Sequence, residues 1–269
     1  MSIDVLLCGG ATAGHIEPAL NVAGELSSSG VRCEFVGTLK GLDRQLISEA
    51  GFALHLIAPV PLPRRFGIRT LSFPFRLLQA VFQSVRICRQ CKPKAIIGFG
   101  SFVALPVYIA SWILRIPLFI HEANAKPGVA NKIGARLARR KFQTVSGAIS
   151  GGETVGTPLR HIYDAFDRKQ LCEEARIEFG LDATRITVLV FGGSQGARHI
   201  NDVVNAISDD LIKKNMQILH VLGKSNVDQV VHDQHHVYLE YVSDMSKAYA
   251  VADLAVCRSG ALTLAEISA

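Results

Sequence analysis

One short pattern occurs twice in this chain, and it limits the folds that the chain can adopt. In the first half, the apolar run at residues 5–8 leads directly into GGATAG at residues 9–14. In the second half, the apolar run at 188–191 leads into GGSQG at 192–196. A buried strand, a glycine-rich turn and then a helix form the first unit of a nucleotide-binding α/β fold. The repetition predicts two similar domains whose glycine turns face one another across a cleft.

The rest of the chain continues the alternation of strands and helices. Continuous apolar runs of strand length are typical of parallel strands that are buried on both faces. Their alternation with helical segments favours right-handed βαβ units. The predicted strands are residues 5–8, 33–36, 54–57, 95–97, 118–120, 142–145, 187–191, 217–221, 237–241 and 254–257. The sequence thus predicts an α/β fold with two Rossmann-like domains, each built on a parallel sheet.

A segment rich in Gly, Ser and Thr separates the two series of strands. It covers residues 147–157 and ends in Thr157-Pro158, a composition that is typical of a connection. We predict the domain boundary here, with domains at 1–158 and 159–269. The last predicted helix, 262–269, ends without a Gly or Pro stop signal, so the second domain is expected to be incomplete.

Composition favours a reduced protein with two sizeable cores. The chain has 269 residues, of which 49% are hydrophobic, and this suffices for two domains. Cys88 and Cys91 form a lone CxxC in a helical stretch, which predicts two incidental thiols rather than a zinc or redox site. The first residues have no signal-peptide pattern. The longest apolar run, 102–120, is interrupted by proline and arginine, and it predicts a buried helix and strand rather than a membrane span.

The charge of the chain is unevenly distributed. Residues 1–150 contain 18 Lys and Arg but 7 Asp and Glu, whereas residues 151–269 contain 11 and 16. No acidic residue lies between Glu49 and Glu122. A predicted helix at 71–89 mixes basic and apolar residues, which suits an anionic membrane surface. The alternative is a core-facing helix with a solvated basic face, and no nucleic-acid motif is recognisable. The predicted membrane-associating residues are Arg76, Leu78, Phe82, Arg86 and Arg89.

Two groups of polar residues follow predicted strands of the first half. His15 comes directly after the first glycine turn, where a histidine is able to accept a proton near neutral pH; the alternative is a capping role, with the helix expected to start at Pro18. His121, Glu122 and Asn124 follow the strand predicted at 118–120. We expect them to line the same cleft rather than to be solvated loop residues, because Pro-Gly sets a defined turn after them.

The second glycine turn predicts a phosphate site. Glycines allow close approach of the backbone, and the N–H groups at the start of the next helix bind phosphate oxygens. Ser194 adds a hydroxyl, and Arg160 adds fixed positive charge.

An NAD site is disfavoured, because GGATAG does not fit GxGxxG and Glu34 lies inside a predicted strand. No Asp-x-Asp occurs, so we predict no metal and no cofactor.

Five segments together resemble the MurG family of peptidoglycan glycosyltransferases. They occur in the family's order over nearly the whole chain, at residues 10–20, 121–128, 155–160, 191–198 and 257–266. The resemblance implies a GT-B fold and inverting transfer of N-acetylglucosamine from UDP-N-acetylglucosamine to undecaprenyl-diphospho-muramoyl-pentapeptide (lipid I), which gives lipid II. It implies a peripheral enzyme of cell-wall synthesis on the cytoplasmic face of the cell membrane. The alternatives are another UDP-sugar transferase, or an inactive membrane-bound nucleotide-sugar binder.

The resemblance also implies roles for individual residues. His15 is the expected general base, with Glu122 as a rival, and Glu266 is expected to bind the ribose hydroxyls. Ala11 and Ala13 depart from the family, since many members have glycine at both positions. The residues expected to bind the donor are Thr12, Ala13, Gly14, Asn124, Arg160, Ser194, Gln195, Val242, Ala261, Leu262, Thr263 and Glu266.

Overall fold

The chain divides into two compact units. The computed structural model describes residues 2–39, 41–60, 68–163, 166–193, 196–223 and 233–269. Contacts separate a first unit, Met1–Leu159, from a second unit, Arg160–Ala269. The sequence placed this boundary between residues 158 and 159. Within the described residues, no helix is both long and apolar enough to cross a membrane.

The first unit is built on a seven-stranded parallel sheet. Its strand order is β3-β2-β1-β4-β5-β6-β7, and every neighbouring pair is parallel. The reversal of order beside β1 is the topological switch point at which such sheets bind ligands. The strands are β1 (Val5–Cys8), β2 (Cys33–Gly37), β3 (Ala53–Leu56), β4 (Ala95–Gly98), β5 (Leu118–Glu122), β6 (Arg140–Gln143) and β7 (Glu153–Thr154).

Helices cover both faces of this sheet. Along β1, Leu6 and Cys8 belong to one apolar cluster, while Val5 and Leu7 belong to another. Side chains of a strand alternate between its faces, so β1 lies at the centre of two cores, which explains its continuous apolar sequence. The helices are α1 (Ala13–Ser28), α2 (Asp43–Glu49), α3 (Ile68–Cys91), α4 (Ser101–Leu114) and α5 (Val129–Leu137).

The second unit has the same design on a smaller scale. Its four described strands are parallel in the order β10-β9-β8-β11, and apolar clusters again lie on both faces. A 3₁₀ turn at His161–Tyr163 precedes them. The elements are α6 (Arg168–Phe179), β8 (Ile186–Phe191), α7 (Arg198–Lys213), β9 (Met216–Val221), β10 (His236–Leu239), α8 (Met245–Val251), β11 (Leu254–Cys257) and α9 (Ala261–Ser268).

The predicted fold class is confirmed, with local corrections. All ten predicted strands are present, but the segment expected to be a linker contains the short strand β7, which pairs with β6. Helix α1 begins at Ala13 rather than at Pro18, which lies inside the helix. Helix α4 is buried as predicted over most of its length, but Trp112 and Ile113 are 66% and 48% exposed. Apolar runs did not predict strand residues that are polar and buried, such as those at the end of β5 described below.

Candidate active site

A buried carboxylate shapes the glycine loop that follows β1. Asp43, the first residue of α2, is fully buried, and its Oδ2 accepts a hydrogen bond of 2.8 Å from the backbone N–H of Ala11. The same carboxylate fills the space in which a side chain at Gly10 or Gly37 would lie. Burial raises the pKa of Asp43. Sequence reasoning missed this residue, because it lies 32 positions from the loop that it supports.

Ala11 occupies a backbone conformation that favours glycine. Its φ is +70°, in the left-handed region, which costs an alanine about 1–2 kcal/mol relative to a helical or extended backbone. A Cβ at the neighbouring Gly41 would lie only 2.6 Å from the Ala11 carbonyl oxygen. The absence of a side chain at Gly41 therefore leaves the space that the Ala11 backbone occupies.

His15 is oriented by a single hydrogen bond from its ring. It lies in the first turn of α1, half-buried, and its Nδ1 is 2.8 Å from the carbonyl oxygen of Phe99 at the end of β4. A carbonyl oxygen only accepts, so the neutral ring carries its hydrogen on Nδ1 and has a lone pair on Nε2. This tautomer suits a general base whose acceptor atom is Nε2.

Glu122 is the last residue of β5, and its carboxylate is enclosed. The residue is 3% exposed. Oε1 accepts from the backbone N–H and the side-chain amide of Asn124, at 2.9 and 2.8 Å. Oε2 accepts from the N–H of Gly128 at 3.2 Å and from the amide of Asn131 at 3.0 Å. With four donors around it, Glu122 fixes the turn that carries the exposed Asn124, and this geometry suits positioning better than proton removal.

A buried tyrosine helps to position Asn131 and, through it, Glu122. Tyr108 of α4 is fully buried, and its hydroxyl donates to Oδ1 of Asn131 at 2.8 Å. Its ring lies where side chains at Gly98 and Gly134 would otherwise be. The Tyr108–Asn131–Glu122 chain links the helix core to the candidate site.

His121 does not lie in a solvated loop. It belongs to β5, is 5% exposed, and its Nε2 donates to the carbonyl oxygen of Gly156 at 2.8 Å. Burial lowers its pKa, so the ring is neutral. The prediction that residues 121–124 follow the strand is therefore wrong for His121 and Glu122, which are inside it; Asn124 alone of the predicted polar trio is exposed.

In the second unit, an arginine supports the glycine turn that follows β8. Gly192 has no room for a side chain because the backbone of Ala197 packs against it, and Gly193 and Gly196 have φ of +85° and +74°. The guanidinium of Arg258, which follows β11, donates to the carbonyl oxygens of Gly192 and Gly196. Ser194 and Gln195 lie outside the described residues. Sequence reasoning missed Arg258, although it lies inside the segment at 257–266.

Two predicted donor residues, Arg160 and Glu266, lie around one aromatic group. The guanidinium of Arg160 is 5.8 Å from the ring centroid of Tyr163, and that ring is 6.5 Å from the ring of Tyr249. The Tyr249 hydroxyl donates to Oε2 of Glu266 at 2.8 Å. Burial and the Glu266 charge raise the pKa of Tyr163 to about 12. Tyr249 also lies 5.9 Å from Phe191, so this group is beside the end of β8.

The remaining donor residues are at the same sheet edge. Val242 follows β10, half-buried against the core, while Ala261, Leu262 and Thr263 form the first turn of α9 after β11. The carboxyl ends of parallel neighbouring strands meet at one edge, where α/β sheets bind ligands. Thr12, Ala13 and Gly14 lie at the corresponding edge of the first sheet, at the start of α1.

Helix α3 carries an exposed stripe of apolar and basic side chains. Phe75, Leu78 and Phe82 are 76%, 66% and 71% exposed. Their spacing of three and four residues puts them on one face. The exposed Arg76, Arg86 and Arg89 accompany them. Helix α4 packs against α3, and its Trp112 is also exposed.

The comparisons with known proteins identify the family. Residues 5–143 match the glycosyltransferase family 28 N-terminal domain, and residues 187–269 match the family's C-terminal domain. The chain belongs to glycosyltransferase family 28. The resemblance predicted from the five segments is confirmed, and so is the enzyme class.

Relatives of this family 28 chain match over its whole length. A UDP-N-acetylglucosamine--N-acetylmuramyl-(pentapeptide) pyrophosphoryl-undecaprenol N-acetylglucosamine transferase from Mycobacterium sp. (strain KMS) is 45% identical over 275 residues, covering 100% of this chain and 74% of the relative. The protein of the same name from Corynebacterium glutamicum (strain ATCC 13032) is 42% identical and covers 98% and 74%.

Solved structures agree with this assignment. The crystal structure of Acinetobacter baumannii MurG is 28% identical, with a TM-score of 0.74, and covers 100% of this chain and 76% of that one. A UDP-GlcNAc 2-epimerase from Neisseria meningitidis has a TM-score of 0.63, covers 97% of this chain and 78% of that one, and is 11% identical. At that identity the likeness shows the fold alone.

Proposed function

We propose that this protein transfers N-acetylglucosamine from UDP-N-acetylglucosamine to lipid I, which yields lipid II for peptidoglycan synthesis. The observation that carries the proposal is the 45% identity over the whole chain to a relative named for this reaction. Support comes from the histidine tautomer in the first unit and from the phosphate-type turn in the second.

In the proposed reaction, Nε2 of His15 takes the proton from the acceptor hydroxyl. The hydroxyl oxygen attacks the anomeric carbon from the side opposite to UDP, so the bond to the diphosphate breaks with inversion and UDP leaves. The backbone N–H groups of the turn at 192–196 and the guanidinium of Arg160 stabilise the negative charge that develops on the diphosphate. Asn124, held by Glu122, contacts the donor sugar.

The uridine part of the donor is assigned to the edge of the second sheet. We propose that the backbone at Val242 meets the uracil and that Glu266, oriented by Tyr249, accepts hydrogen bonds from the ribose hydroxyls. We propose that transfer needs no metal, since Arg160 and the helix starts supply the positive potential that a diphosphate requires. Ser194 and Gln195 keep their predicted roles in the diphosphate turn.

A transfer assay tests the proposed function. Purified protein, UDP-N-acetylglucosamine and a lipid I analogue are expected to give the lipid II analogue and UDP in equal amounts, with or without a chelator. Calorimetry with UDP is run beside the assay. Binding of UDP without any transfer would favour the inactive nucleotide-sugar binder, and transfer to a different lipid or small acceptor alone would favour another UDP-sugar transferase.

We also propose that the α3 stripe contacts an anionic membrane surface on the cytoplasmic face of the cell membrane. The apolar side chains would enter the headgroup region, while the arginines would meet lipid phosphates. Each basic residue near such a surface contributes about 1 kcal/mol. Nucleic acid is not proposed as a partner.

Charge reversal on α3 tests this surface. The double variant Arg86→Glu/Arg89→Glu is expected to lower binding to anionic liposomes by about 30-fold, because two favourable terms of about 1 kcal/mol each are lost. Sedimentation measures the binding, and calorimetry should show unchanged UDP affinity. The control is Lys213→Glu/Lys214→Glu, which makes the same charge change at two exposed positions of the second unit. Equal liposome binding by the two variants would contradict the proposal that α3 contacts the membrane.

A further inference from the structure

Three side chains with metal-binding atoms converge in the first unit, and the proposed transfer uses none of them. Nε2 of His55 is 2.6 Å from Oε2 of Glu34. The Sγ of Cys91 is 3.4 Å from that nitrogen and 3.6 Å from that oxygen. The ligand atoms of all three side chains lie within 4.8 Å of one another, and among the described residues no other His, Cys, Asp or Glu side chains form such a group of three.

The fold brings these residues together from distant parts of the sequence. Glu34 lies in β2 and His55 in β3, and the parallel register pairs Val36 with His55. Paired residues of neighbouring strands share a face, and so do residues two apart, so Glu34 and His55 lie on the same side of the sheet. Cys91 is the last residue of α3, and its backbone carbonyl accepts from the N–H of Ile3 at 2.9 Å. The three ligand atoms are therefore held by three separate elements.

The spacing of the atoms resembles one face of a zinc tetrahedron. Bonds of about 2.3 Å to sulfur and about 2.1 Å to nitrogen and oxygen put tetrahedral ligand atoms about 3.4–3.6 Å apart. Both distances from Sγ already fall in this range. The nitrogen–oxygen distance is a hydrogen-bonding one, and it would widen by about 0.8 Å once an ion replaced the shared proton. A rotation of the half-exposed side chains supplies such a change.

We propose that Glu34, His55 and Cys91 bind one zinc-class divalent cation, with water as the fourth ligand. A thiolate, an imidazole and a carboxylate form a set that selects zinc or cobalt over magnesium or calcium. The side chains of His55 and Glu34 are 31% and 26% exposed, so an ion can enter and keep a water molecule. The incoming cation displaces the thiol proton of Cys91 to solvent and forms the metal–sulfur bond.

The proposed site gives one of the two CxxC thiols a role, which differs from the sequence interpretation of both as incidental. Both cysteines are buried members of the apolar cluster, but Cys91 also contacts the side chains of Glu34 and His55. Burial and the neighbouring carboxylate raise the pKa of the Cys91 thiol to about 11. A bound ion would tie the end of the proposed membrane-contacting helix to β2 and β3.

Cobalt binding to the full-length protein tests the site, after removal of adventitious metal with a chelator. Cobalt is expected to bind the wild-type protein and give the absorption of a tetrahedral thiolate complex, and one equivalent of zinc should abolish it. Cys91→Ser is expected to lose the thiolate band and to weaken zinc binding by at least about 100-fold. Cys88→Ser, one helical turn away, is the matched control and should keep both.

A second variant separates ligand loss from unfolding. His55→Gln is expected to keep the UDP affinity and the unfolding transition of the wild-type protein while it loses tight zinc binding. The proposal is overturned if wild-type protein shows no cobalt–thiolate band, or if Cys91→Ser and Cys88→Ser bind cobalt alike. Because this readout does not involve sugar transfer, its failure would leave the proposed function unaffected, and the reverse also holds.

Discussion

His15→Ala is expected to lower kcat for transfer of N-acetylglucosamine by about 10²–10⁴-fold, the usual contribution of a positioned general base. The hydrogen bond from Nδ1 to the Phe99 carbonyl leaves Nε2 as the ring's proton acceptor, and alanine supplies none. UDP affinity should change by less than about twofold, because the base acts on the acceptor rather than on the nucleotide. Transfer rates at saturating substrate and calorimetry with UDP measure the two effects.

Glu122→Gln is the matched control for this assignment. The amide keeps the size of the carboxylate but places an NH₂ group against donors from Asn124, Gly128 or Asn131. We expect a lower unfolding free energy and weaker donor binding, with a smaller loss of kcat than for His15→Ala. The reverse ranking, with a small effect at His15 and near-complete loss of kcat in a folded Glu122→Gln, would make Glu122 the base.

The strands of this protein were predictable because most are buried on both faces. β1 and β8 consist of apolar residues, so their sequence stands out without any knowledge of the fold. The prediction for β5 ended two residues early, because His121 and Glu122 are polar and apolar periodicity does not register buried polar groups. Their burial depends on partners as distant as Gly156 and Asn131.

The supports of the candidate site were less predictable than its reactive residues. Asp43 and Arg258 stabilise the two glycine turns, from which they are 32 and 66 residues distant in the sequence. Neither lies in a local sequence pattern that predicts this role. The convergence of Glu34, His55 and Cys91 has the same origin, since it follows from sheet register and from the end of a helix. The exposure of Trp112 was not predicted, because it lies at the end of an apolar helix whose preceding residues are mostly buried.

Two buried histidines are expected to make the second unit acid-sensitive. His220 and His236 are 0% and 3% exposed, and their Nδ1 and Nε2 atoms are 3.2 Å apart. His220 Nε2 is 3.2 Å from Oδ1 of Asn201, an acceptor, so a neutral His220 donates there and accepts from His236. A proton on Nδ1 of His220 would set two N–H groups against each other. Burial lowers the pKa of both histidines from 6.5 to about 4.

The direction in which pH changes the free energy of unfolding depends on whether the folded or the unfolded state binds more protons. Between pH 6.5 and about 4 the unfolded chain protonates these histidines while the folded unit does not, so the free energy of unfolding falls as the pH is lowered through this range. The loss is about 3 kcal/mol for one histidine. Urea unfolding followed by far-ultraviolet circular dichroism from pH 7 to pH 4 measures it.

The single tryptophan allows this loss to be assigned to one unit. Trp112 lies in the first unit, so its fluorescence should report a transition that the pair does not affect, while circular dichroism detects the weakening of the second. His236→Gln is expected to reduce the pH dependence between 6.5 and 4, whereas His199→Gln, at an exposed position of α7, should preserve it. If both variants kept the wild-type dependence, the acid sensitivity would have to arise from carboxylates, whose protonation destabilises the folded state at lower pH.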